Sequence, residues 1–360
     1  MRLLDKYILK EFIGPFLFGM GAFTVVVVGM HVAPMVLKLL VRDHFPPAAV
    51  LRIFLLRLPQ VLVYCFPMAT VFGALMAMSN MSGNGEIIAV RAGGASIPRV
   101  ALPILVAAVA IVLANFSFNE WVVPVSLDRA FELQSEYARR TNPIENLLFT
   151  VPSVKPERVV YARAYDPRRM VLDDLIIMEL RHGKLWQTLK AREAAWHGGD
   201  WVLRDVEFKR LDAAGRETSV KFSVRAHDLG KSPDELARRP KSLDDMSLRD
   251  LREELANRRR VGLAYKPHQV QVVQYIQMHW AMPWLPLFFA FIGIPLGLRP
   301  TRATAGIGLG LSLVIALAYY FMFYSLILVG QSGAMSTVLA AWLPNGMLLG
   351  AGLVLFARAR

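Results

Sequence analysis

Cysteine is nearly absent from this chain. One residue in 360, Cys65, carries a thiol, which excludes an intramolecular disulfide. Acids are scarce in a more instructive way. Of 41 basic and 28 acidic residues, 28 and 23 lie between positions 125 and 266. The rest of the chain holds 13 basic residues and only five acids: Asp5, Glu11, Asp43, Glu86 and Glu120. Catalytic and nucleotide-binding signatures are also missing. No G-x-S-x-G occurs, "HGK" at 182–184 lacks the upstream glycine of a phosphate-binding loop, and His182, His197 and His227 show no H-x-x-x-H spacing. The chain is therefore read as no enzyme. It carries no cofactor of its own, and any ATP and magnesium belong to a partner.

Long apolar runs are abundant instead. The chain is 55% hydrophobic with a net charge of +13 and a mean hydropathy of +0.40. Runs at about 12–36, 55–81, 99–119, 278–298, 304–329 and 334–356 each supply the roughly 20 apolar residues that cross a bilayer core. Six spans follow, three before the polar middle and three after it. The first run is too long for a signal-peptide core and has no A-x-A cleavage site, so the N-terminus is expected to be retained. With the N-terminus inside, the inner short loops and ends hold Arg2, Lys6, Lys10, Arg91, Arg99, Arg299, Arg302, Arg358 and Arg360. The outer ones hold Lys38, Arg42, Arg52 and Arg57. Nine against four puts both termini in the cytoplasm and the polar middle outside.

That middle reads as β structure. "RVVYARAYDP", "LDDLIIMELRHGK", "KLWQTLKAREAAW", "WVLRDVEFKRL" and "ETSVKFSVRAHDL" alternate with period two. Gly198 and Gly199 in "WHGGDW" mark a hairpin between Trp196 and Trp201. Short strands at this spacing predict a sandwich or partly open barrel. From Ser247 the reading turns helical: Ser247 and Asp250 form an S-x-x-D capping arrangement, and Leu248, Leu251 and Leu255 share one face.

Three features bear on function. Lys38, Arg42, Arg52 and Arg57 gather where the first two spans meet outside. They either snorkel to headgroups or pair with the oxyanions of an anionic lipid. His31, two turns below, reads more readily as a satisfied interior histidine. Gly306 with Gly310, and Gly346 with Gly350, have the four-residue spacing of close helix packing, compatible with a seam that opens. Finally, "SGNGEIIAVRAGG" (82–94) sits between spans two and three. Glu86 opens a short helix where an acid suits the dipole, and Ile87, Ile88 and Val90 form an apolar surface. It is either a tight connection or a helix that docks in a groove of a partner.

Several of these stretches, in order, resemble the LptF/LptG (YjgP/YjgQ) permease family of the lipopolysaccharide exporter. "LLDKYILKEF" is similar to the family's N-terminal interfacial helix. "FPMATVFGALMAMSNMSGNGEIIAVRAGGAS" resembles its second span and the glutamate-bearing loop after it, and "FNEWVVPVS" its exit from span three. The resemblance covers essentially the whole chain. It implies six transmembrane helices with an inserted periplasmic β-jelly-roll domain in the cell inner membrane: a transmembrane part over 1–123, the β domain with a connecting helix over 124–265, and the last three spans over 266–360. By the same resemblance, 82–93 is a coupling helix that meets an LptB-like ATPase through Glu86, Ile87, Ile88 and Arg91. Lys38, Arg42, Arg52, Arg57 and His31 become lipid-contacting candidates, and Gly306 and Gly310 lie at a lateral gate between spans one and five. The implied partners are a second LptF/LptG-like permease, LptC/LptA-like jelly-roll proteins and lipopolysaccharide or a related glycolipid. A scaffold whose β domain only binds envelope proteins is the rival reading. An ion-driven transporter is disfavoured, since no span has an acid near its middle.

Overall fold

A computed structural model describes residues 3–141, 144–151, 157–166, 169–181, 184–197, 199–211, 217–227, 229–230, 232–233, 236, 243–260, 266–298 and 305–358. Six of its helices are long and apolar enough to cross a membrane. The first, α1, runs from Leu3 to Arg42 without a break. At 1.5 Å per residue its 40 residues reach roughly 60 Å, about twice a bilayer core, so one rod extends past both faces. The N-terminal stretch and the first apolar run are thus a single helix. Two π turns lie within it, Val28–Val32 and Lys38–Arg42. The first precedes Pro34, whose missing N–H frees a carbonyl one turn back, and a widened turn accommodates the mismatch. The third span repeats the device: α4 runs from Ile97 through a π turn at Phe118–Val122, just before Pro124, and on to Thr141. This helix extends well beyond the apolar run, and the sheet begins only at Ile144.

Between these lie α2, Pro47–Gly83, and the short α3, Glu86–Ala92. The second half of the molecule has α5 (Leu248–Arg260), α6 (Lys266–Ala281), a 3-10 turn at Met282–Trp284, α7 (Leu285–Gly297), α8 (Ala305–Gln331) and α9 (Thr337–Arg358). The helix α2 is the hub. It is buried without interruption from Pro67 to Ser79, which explains why its sequence is apolar all round rather than on one stripe. Small residues let its neighbours close in. A Cβ on Gly293 of α7 would stand 2.7 Å from the Val71 carbonyl oxygen. At the break before α7, Asn345 donates to the Ala281 carbonyl (2.9 Å) and accepts from Tyr319 Oη (2.7 Å), so the buried polar groups there are satisfied. The rings of Trp121, Trp280 and Trp284 are exposed, a setting that suits a lipid–water boundary, where indoles settle.

Among the described residues the inserted domain is an antiparallel sheet of six strands in sequence order: β1 Ile144–Val151, β2 Glu157–Asp166, β3 Val171–Arg181, β4 Lys184–His197, β5 Asp200–Leu211 and β6 Glu217–His227. Five were legible from alternation, and β1 is the addition. The tip glycine Gly198 and His182 lie outside the described residues, but Trp196 pairs with Trp201 as the hairpin requires. One apolar face builds a core around Tyr165, Leu172, Ile177, Leu189 and Trp201.

Alternation fails along one line across this sheet. The inward residues Ala162 and Tyr165, Leu172 and Leu175, Ala191 and Ala194, and Leu203 and Val206 stand three apart rather than two. Every strand from β2 to β5 has one additional residue at the same level, so the register is kept on both sides: Asp173 faces Glu193, and Leu175 faces Ala191. The phase change is made by Asp174 (φ 48°) and Asp205 (φ 52°), left-handed residues of the type that tolerates that conformation best after glycine. On the outer face Arg163 reaches Asp174 at 2.7 Å.

Candidate functional site

Two places carry the chemistry singled out in the sequence, at opposite ends of the helix bundle. At one end, α3 is a single-purpose insert. Gly85 (φ 73°) turns the chain into it and Gly94 (φ 85°) turns it out. The exit is a Schellman arrangement, with Gly94 N–H on the Arg91 carbonyl (2.9 Å) and Ala95 N–H on the Val90 carbonyl (3.2 Å). Ile87 is buried in a cluster with Ile8, Phe12, Met81 and Val100, and Ile88 points out at 73% exposure. Arg91 is exposed on the same short helix.

The glutamate is held. Tyr7 Oη donates to Glu86 Oε1 at 3.0 Å, and Asn84 Nδ2 reaches the same oxygen at 3.4 Å. Beside them Arg99, at the start of α4, pairs with Asp5 at 2.7 Å. Residues Leu4 and Phe356 pack on the same cluster, so both ends of the chain lie at this end of the bundle. The parts played by Asp5 and Tyr7 were not foreseen from sequence. They lie in "LLDKYILKEF", but only folding brings Tyr7 to Glu86, 79 positions on, and Asp5 to the still more distant Arg99.

At the other end, the turn between α1 and α2 packs Leu39, Phe45, Val50 and Ile53 against Leu133 and Tyr137 of α4. Lys38, Arg42 and Arg52 are exposed there. Arg57 is not available in the same way. Its guanidinium lies 3.5 Å from Asp245, with only 15% of the side chain exposed, and 5.5 Å from the Phe131 ring centre. The reason is the chain returning from the sheet: its 3-10 turn Leu243–Asp245 lies over α2, where Gln60 also bonds Asp245 at 3.3 Å. The four basic residues therefore divide into three at the surface and one that anchors a turn. His31 is exposed rather than interior, its ring stacked on Tyr64 at 6.3 Å.

The same turn closes a cleft of about 60 Å³ between α2, α4 and α6, where Tyr64, Asp244, Tyr275 and His279 meet. Asp244 is exposed, but partial desolvation on the cleft side lifts its carboxyl above the ordinary carboxylate range. The neighbouring Asp245 charge adds to the lift, while a hydrogen bond from Tyr275 opposes it.

Gly306 and Gly310 of α8 both face open space, whereas Gly308 between them packs on Met76 of α2. Likewise Gly346 and Gly350 are open, while Gly352 meets Phe291. Among the described residues these two pairs meet no neighbouring helix, and α8 turns the Gly308 face to α2 instead. Among the described residues, no three of His, Cys, Asp and Glu group as metal ligands.

The chain matches the family described as lipopolysaccharide export system permease LptF/LptG over residues 6–358. Two relatives, the LptG permease proteins of Escherichia coli strain K12 and of E. coli O6:H1 strain CFT073, are each 31% identical to it over 85 residues. That stretch is 23% of this chain and spans 24% of each relative's own length. With six membrane-capable helices around an inserted antiparallel sheet, and a match across nearly its whole length, this chain belongs to the LptF/LptG family of lipopolysaccharide export permeases.

Proposed function

We propose that the chain is one permease subunit of an ATP-driven exporter that extracts lipopolysaccharide, or a related anionic glycolipid, from the inner membrane. In this reading α3 is the coupling helix. The observation that carries it is the geometry of that helix: glycine joints at both ends, Ile87 anchored in the bundle, and Ile88 turned outward beside an exposed Arg91. An apolar knob with charged flanks suits a groove on an LptB-like cytoplasmic ATPase. The partner supplies ATP and magnesium, since this chain has no phosphate-binding loop.

The α3 end, with both chain ends, faces the cytoplasm in this reading, supported by the excess of basic residues there. The sheet then faces the periplasm. Lys38, Arg42 and Arg52 meet the anionic head of the lipid at the outer end of α1. A second LptF/LptG-like permease covers the exposed apolar sides of α1 and α8, including Gly306 and Gly310. Among the described residues β1 and β6 are the sheet edges, and strand addition by LptC/LptA-like jelly-roll proteins would use such an edge.

Co-purification tests the reading. The wild-type chain, extracted in detergent, should carry a cytoplasmic ATPase with it, and Glu86→Lys should lose that ATPase while still eluting as a folded species. A well-folded wild type that brings no ATPase would favour the scaffold alternative instead.

A further inference from the structure

Glycines at both ends of α3 (φ 73° at Gly85 and 85° at Gly94) make its covalent joints compliant. What moves with α3 is then decided by the groups that grip it without a covalent bond. Some of those lie on α1. Ile8 and Phe12 share a buried cluster with Ile87 and Val100. Polar contacts flank that packing: Tyr7 Oη to Glu86 Oε1 at 3.0 Å, at the first residue of α3, and Asp5 to Arg99 at 2.7 Å, on the first turn after the loop. The Asp5 side chain is only 14% exposed, so its pairing is less screened than a surface ion pair. The helix gripped in this way is the one that runs unbroken to Lys38 and Arg42, and rigid elements of that kind carry coupling between distant sites.

We propose that Tyr7 and the Asp5–Arg99 pair are positioning residues that fasten the coupling helix to the start of α1, so that displacement of α3 is delivered to the outer end of α1. The proposal rests on the coupling reading of α3. Neither Tyr7 nor Asp5 needs to touch the ATPase; each acts through Glu86 or Arg99.

The test uses the full-length chain with the ATPase it co-purifies with, reconstituted in phospholipid vesicles containing lipopolysaccharide. Two quantities are read, the amount of ATPase bound and the lipopolysaccharide extracted per ATP hydrolysed. Tyr7→Phe keeps the ring and removes only the hydroxyl. It should bind ATPase as wild type does and extract roughly two- to fivefold less per ATP, the scale of one solvent-exposed hydrogen bond to a charged group. Asp5→Arg and Arg99→Asp should each uncouple in the same way, and the double exchange should recover most of the loss, which a fault in folding would not do. Wild-type extraction per ATP in Tyr7→Phe and in both single charge variants overturns the proposal. So does a loss of bound ATPase that parallels the loss of extraction, since Tyr7 would then be shaping the docking surface. If the wild type itself binds no ATPase, it is the coupling reading that fails.

Discussion

Asp244 shows how much one residue's setting can matter. The residue is exposed, yet its carboxyl lines the cleft beneath the returning turn, beside Asp245, Tyr275 and His279, and partial desolvation there raises its pKa. A raised value in the docked state means that docking takes up a proton more readily than the undocked chain does. That contribution is therefore complete below the ordinary carboxylate value of about 4 and is lost as pH rises through the raised one. Amides across Leu243–Leu251 should exchange more slowly at pH 5 than at pH 7 after correction for intrinsic rates. Asp244→Asn should abolish the difference, which also separates Asp244 from His279. Asp205 is a second single-residue case. With φ at 52° it sits where a β-branched side chain is strained, so Asp205→Val should destabilise the β domain by roughly 1–2 kcal/mol. Asp205→Gly should be close to neutral. Chemical denaturation followed by tryptophan fluorescence would register both, since Trp201 lies at the centre of that core.

At the scale of elements, the contrast between spacing and packing is sharpest in the glycines. Gly310 has the four-residue partner Gly306, yet open space where a Cβ would go. Gly293 has the same spacing to Gly297, but both meet α2: a Cβ on Gly293 would face the Val71 carbonyl oxygen at 2.7 Å and the Ala74 Cβ at 3.0 Å, and one on Gly297 would meet the Leu75 carbonyl. Gly293→Ala should therefore force α7 away from α2 and lower the thermal midpoint of the isolated chain in detergent, by about 1–3 kcal/mol of overpacking. Gly310→Ala should leave that midpoint unchanged, and any effect it has should emerge only with a second subunit present. The helices α1 and α4 illustrate a different rule. Each has a π turn ahead of a proline, which keeps the rod continuous where an ordinary helix would kink.

At the scale of the whole molecule, the chain returning from the sheet is tied to the bundle by side chains. Asp245 takes both Gln60 and Arg57 of α2, so the turn after the sheet is pinned to the central helix. Arg57→Ala would leave a half-buried carboxylate with one partner fewer, at a cost of about 1–3 kcal/mol to the docked turn. Hydrogen exchange should quicken over Leu243–Leu251 and not in the core of α2. Arg52→Ala, on an exposed side chain of the same helix, should change neither, as surface substitutions commonly do. The contrast would separate the one structural arginine of the outer cluster from those left free for an anionic ligand.

The sequence by itself determined the six spans, the insertion of a β domain between the third and fourth, and the short helix at Glu86. It also determined the Ser247–Asp250 capping box, whose two reciprocal bonds form at 3.1 and 3.3 Å. Each of these is written in local periodicity, length or capping chemistry, which act between residues a few positions apart. Where alternation broke, at Asp174 and Asp205, the strands remained legible but the crease did not, because it needs four strands to change phase at one level. Tertiary structure alone decided which of the basic residues was tied down, which glycines met a neighbour, and that Tyr7 reaches Glu86. Those outcomes depend on which faces of distant helices turn toward each other, and no spacing within one helix encodes that.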